Sequence, residues 1–189
     1  MSFPTNKLAW IVTQSTALLM LTILLIHPGS WPEIITYSGY FAVGYLVLTL
    51  SLNPLRFLFP RFQWIKNINR YRKELGVACF SHAAVHLTSF LVKRGGLSNA
   101  LPYLAHPAII PAIWIAFPLL FALALTSNQK SVQILSYPRW KRLHRKVYWA
   151  EAAVFIHMVL VGKWILALML FIPLLLVQWL RKKGEKSGR

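Results

Sequence analysis

Acidic residues are scarce in this chain: four stand against 21 lysines and arginines among 189 residues, and charged side chains make up only 13% of the whole. With 57% of the residues hydrophobic and a mean hydropathy of +0.52, so little charge excludes a water-soluble domain of this size. Cysteine is almost missing. The single Cys79 lies inside an apolar run, which rules out a disulfide framework and a thiolate metal site and leaves a small buried side chain as its plain reading.

Long polar segments are lacking too. The stretches between apolar runs are short and the tail after Leu180 reads RKKGEKSGR, so no part can fold as a soluble nucleotide-binding or catalytic domain, and no catalytic substrate site is expected. There is no low-complexity segment and no internal repeat. The stretch HPGSWPE after the first apolar run has no A-x-A-like cleavage site, and that run is longer than a signal-peptide core, so it reads as a retained anchor.

Apolar runs are what the chain has in abundance. A helix needs roughly 20 mostly apolar residues to cross about 30 Å of hydrocarbon. Six runs qualify: Leu8 to Ile26, Ile34 to Leu52, Leu75 to Val92, Ala108 to Leu125, Val147 to Val161 and Trp164 to Leu180. The expected fold is an all-α integral membrane protein, a six-transmembrane-helix bundle forming one domain over residues 1–189. Prolines at Pro28, Pro32, Pro54, Pro107 and Pro138 punctuate it, with Asn53-Pro54 read as the end of the second span. Tryptophans near the span ends suit the membrane interface.

The net charge of +17 is distributed in a telling way. Eighteen of the 21 basic residues precede the first span, lie in the second-to-third or fourth-to-fifth loops, or follow the sixth span, whereas the opposite side carries only Lys93, Arg94 and Lys163. That alternation is the positive-inside pattern and places both termini in the cytoplasm. Such loops favour anionic lipid headgroups, and no basic groove interleaved with aromatics points to nucleic acid.

Ionisable groups within spans are costly, so the histidines are functional suspects. His86 lies eleven residues beyond Leu75, about 17 Å along a helix running outward. His157 lies thirteen residues beyond His144, about 20 Å along the next outward helix. His86 and His157 therefore share a depth in the outer half, while His144 stays near the inner face, about 140° from His157 around an ideal helix. Two imidazoles at one level in an apolar bundle suit a six-coordinate b-type haem; hydrogen bonding across helices is the alternative use. His82 is expected to hydrogen-bond or pack, and His27 and His106 to serve turns at the outer interface. Glu151 could relay protons or fix an imidazole tautomer, with pairing to a loop arginine as the plainer role.

Four segments carry a resemblance: SGYFAVGYLVLTLSLNPLRFL, RYRKELGVACFSHAAVHLTSFL, LALTSNQ and RWKRLHRKVYWAEAAVFIHMVLVGKW. In this order they resemble the ferric-reductase-like transmembrane domain family, and within it the haem-binding membrane subunits of protein-methionine-sulfoxide reductase systems. The resemblance implies His86 and His157 as axial ligands of one haem b, and His144 as part of an inner site. It implies electrons taken from a cytoplasmic flavin reductase or the quinone pool, in some members through FMN, and passed to a periplasmic molybdopterin sulfoxide reductase in the bacterial inner membrane. Larger relatives pair four histidines for two haems, whereas Arg72 or Lys73 stands here where a fourth would fall, so a second haem stays open. Arg72 and Arg142, with Arg70 and Arg145, are candidates for holding a flavin phosphate. A stand-alone ferric reductase and a non-redox transporter or structural membrane protein are the other readings.

Overall fold

The computed structural model describes residues 7–187 and is helical almost throughout. Helix α1 (Lys7–Ile26) is followed by a 3-10 turn and the 28-residue α2 (Trp31–Leu58); α3 (Gln63–Asn69) leads into α4 (Arg72–Lys93). A short α5 (Leu97–Ala100) and a 3-10 turn precede a π-helical segment, Pro111–Ala116, which runs into α6 (Phe117–Leu125). Then come α7 (Gln129–Leu135), α8 (Tyr137–His144), α9 (Val147–Leu160) and α10 (Trp164–Ser187).

Four of these, α1, α2, α4 and α10, are long and apolar enough to cross a bilayer, and the π-helix with α6 makes a fifth candidate, bent by 100° against α7. Helix α9 has 14 residues, about 21 Å, and is short for a span by itself. The spans carry large exposed side chains along their length, among them Leu18, Leu25, Trp149, Met169 and Leu175. In water such a surface would aggregate; lipid is the solvent that accepts it.

Three boundaries differ from the sequence reading. Helix α2 does not end at Asn53-Pro54 but continues to Leu58 with Pro54 buried inside it. So close to the helix end the missing N–H costs one ladder bond, which a membrane bundle tolerates. The basic tail is not loose after Leu180: α10 carries its helix to Ser187, helped by good helix formers and an Arg181–Glu185 pair at 3.5 Å. Finally, His144 and His157 are not on one helix, because α8 stops at His144 and a turn at Arg145 and Lys146 precedes α9. The 140° offset expected for a continuous helix therefore does not apply.

The main core joins Leu46 and Leu50 of α2, Cys79 of α4, Ala116 and Leu120, Ala150 and Ala153 of α9, and Phe171 and Leu174 of α10. Alanines on α9 let its backbone approach its neighbours, the usual means of packing helices in lipid. Helix α1 docks through a second cluster, Ala17, Leu24, Ile34 and Val85, and through a polar seam. In that seam Ser81 donates to Gln14 at 2.6 Å and Thr16 meets His82 Nε2 at 3.0 Å.

Candidate haem site

Helix α4 turns His86 toward α2, where its Nδ1–H donates to the carbonyl of Ile35 at 2.7 Å. That approach is possible because residue 39 is glycine: a Cβ there would sit 3.0 Å from His86 Nδ1 and 3.1 Å from Cε1. Helix α9 presents His157, whose Nδ1–H donates to the carbonyl of Ala108 at 2.6 Å. Ala108 lies in the turn that opens the π-helical segment, and wide helical turns of this kind recur at functional sites.

Both imidazoles thus have one nitrogen tied to the backbone as a donor. The tautomer is set by that bond, and Nε2 of each is left with a lone pair and no hydrogen-bond partner among the described residues. The ring centroids are 6.4 Å apart and the planes cross at 81°. Two imidazole nitrogens on opposite sides of one metal, each about 2 Å away, place the centroids about 6 Å apart. The separation of the pair is that of two imidazoles flanking one metal.

Around the pair is a cavity of about 480 Å³, within the range of about 300–1,000 Å³ that small-molecule sites occupy. His86 and His157 both line it, and Val43, Leu46, Ala83, Ile113, Phe117 and Val154 supply apolar walls. Apolar walls with two opposed nitrogen ligands are what a porphyrin requires of a helical bundle.

The other histidines are used differently. His82 is fully buried, with Nδ1–H donating to Ala78 O at 2.9 Å and Nε2 accepting from Thr16, so neither nitrogen is available. It packs against both Phe41 and Tyr45, each 5.2 Å from its centroid, the packing role expected of it. His27 and His106 are exposed at turns, where His106 Nδ1 accepts from Ala108 N at 3.2 Å.

His144 does not line the cavity. It stacks on Trp140 at 4.1 Å, and its Nε2 is 3.1 Å from the Thr126 hydroxyl, which gives its own proton to Ala122 O at 2.7 Å. Burial and the nearby Arg72 guanidinium push its pKa down to about 4, so it stays neutral, the form that binds metals. Arg72 is anchored by its Nε donating to Thr49 O at 2.9 Å, whereas Arg142 is exposed on α8. Glu151 is not paired with an arginine; it is buried and accepts from Gln178 Nε2 at 3.1 and 3.2 Å, because α10, not a basic loop, packs against it. No group of three or more His, Cys, Asp and Glu side chains gathers for a metal among the described residues.

A profile of the ferric reductase like transmembrane component family matches residues 15–155, about three quarters of the chain. The chain belongs to that family. It is similar to magnetosome protein MamZ of Magnetospirillum gryphiswaldense, 31% identical over 66% of this chain and 19% of that protein. It is also similar to the protein-methionine-sulfoxide reductase heme-binding subunits MsrQ of Brucella ovis and Brucella canis, each 36% identical over 63% of this chain and 52% of the relative. The chain therefore spans about half the length of these MsrQ relatives. No solved structure matches it. For a member of this family, the residues the sequence reading overlooked are Gly39 and the carbonyls of Ile35 and Ala108. A glycine inside the strongly helical second span, where it costs about 1 kcal/mol against alanine, was the one signal that could have revealed the first.

Proposed function

We propose that this chain is the haem b-binding membrane subunit of a protein-methionine-sulfoxide reductase system, carrying electrons across the bacterial inner membrane. The observation that carries the reading is the pair of His86 and His157, their rings 6.4 Å apart, each lining one largely apolar cavity and each with Nδ1 tied to a backbone carbonyl and no hydrogen bond to Nε2 among the described residues. The similarity to MsrQ supports it. Haem supplies one-electron redox chemistry when bound. The chain's own residues hold the imidazoles in one tautomer through Ile35 O and Ala108 O and raise their basicity by those bonds.

In this reading the electrons come from a cytoplasmic flavin reductase or the quinone pool and leave to a periplasmic molybdopterin sulfoxide reductase. His144, Arg72 and Arg142 form the inner site, toward FMN or a second haem. The six-span topology has both termini in the cytoplasm; the terminal residues themselves lie outside the described range. A ferric reductase without a sulfoxide-reducing partner is the second reading, favoured by the family match itself.

The test is a spectrum of the purified protein, oxidised and then reduced with dithionite. Wild type is expected to show Soret and α bands, His86→Ala and His157→Ala to lose the outer haem, and His144→Ala to keep it. Full haem content in both outer variants would overturn the ligand assignment. Sulfoxide reduction by the isolated membrane complex, against reduction of ferric chelates, separates the two functional readings.

A further inference from the structure

The three basic residues on the sparsely charged side, Lys93, Arg94 and Lys163, all line the cavity that holds His86 and His157. Topology does not need them, since the positive-inside pattern leans the other way. Arg94 caps the end of α4, eight residues beyond His86, and Lys163 lies in the turn that follows α9, six residues beyond His157, so both flank the same end of the cavity as the histidine helices finish. The Arg94 guanidinium carbon lies over Tyr103, 3.5 Å from the ring centroid, with the Phe90 centroid at 5.5 Å, so two aromatic rings hold the head group at the cavity. Its Nε is buried with no hydrogen-bond partner. Lys93 stands 5.0 Å over Trp31.

No acidic side chain lines this cavity, and none of the three cations forms a salt bridge among the described residues. A buried, unpaired guanidinium nitrogen is expensive, and a carboxylate is its matched acceptor. Haem carries two propionate carboxylates on one edge of an otherwise apolar ring. Resting on the haem reading above, we propose that Arg94, assisted by Lys93 and Lys163, binds the haem propionates and so turns that edge of the macrocycle toward the outer face. Cations there neutralise the propionates, which otherwise favour the ferric state.

Removing a cation also acts through space on the iron, so the test is a coupling cycle between side chain and propionate. The full-length apoprotein is loaded with protohaem or with its dimethyl ester, as wild type, Arg94→Gln, Arg94→Lys and Lys163→Gln. The inner-side Lys130→Gln serves as a charge control. With protohaem, Arg94→Gln is expected to release haem to a scavenger roughly tenfold or more faster than wild type, and to have a lower midpoint potential. Arg94→Lys should recover part of both losses, and Lys163→Gln should show the same pattern more weakly. With the ester, wild type and Arg94→Gln should behave alike. Equal effects of Arg94→Gln on protohaem and ester would overturn the proposal and leave the cations to lipid phosphate or an outer partner. Should Arg94→Gln fail to fold, the Lys163→Gln cycle decides by the same criterion. Bis-imidazole spectra in every loaded form keep the haem reading intact whichever way the cycle falls; their absence from wild type would sink both.

Discussion

At the scale of single residues, tolerance at the site turns on atoms that composition does not display. Gly39→Ala pushes a methyl into the His86 ring, so lower haem occupancy and an altered ferric EPR signal are expected. Gly44→Ala, with nothing within 4 Å of the added Cβ, should leave both unchanged and is the control. The buried Glu151–Gln178 pair makes a second prediction. Gln178→Leu strips the carboxyl of its donors and should cost about 1–3 kcal/mol in unfolding measurements in detergent. Adding Glu151→Leu should recover most of that loss, and no recovery would mean that the pair is not what stabilises this contact.

Between elements, the polar seam fastens α1 to α4. Thr16→Val removes the Thr16–His82 bond and should weaken the bundle by about 0.6–2 kcal/mol, the range found for hydrogen bonds between helices in lipid, with the haem spectrum unchanged. A lost Soret band in that variant would show that His82 serves the cofactor after all. In the main core, Ala150→Leu puts a large side chain at a position of α9 that is completely buried. Overpacking of this kind costs about 1–3 kcal/mol, and because α9 also carries His157, thermal stability and haem retention should fall together. Helix spans and the shared depth of His86 and His157 were legible from hydropathy and the rise per residue. The break between α8 and α9 was not, since RLHRKVY contains no proline or glycine and reads as uninterrupted helix.

For the whole molecule, the charge asymmetry predicts the topology. Phosphatase fusions placed after residue 29 or residue 98 should be active in the periplasm, and those after residue 68, 136 or 187 inactive; an active fusion at 187 would reverse the orientation. The sequence by itself determined that the chain lives in a membrane, roughly where its helices run and which face is basic, because hydropathy and charge act locally along a chain. It also singled out the histidines, since an ionisable group in an apolar run stands out wherever the helix goes. Only the tertiary structure decided which nitrogens were left over. His82 and His86 are one turn apart on the same helix, yet Thr16 from α1 satisfies the first while His157 faces the second across a cavity. Hydrogen-bond satisfaction depends on which helix lies alongside, and that is settled by packing.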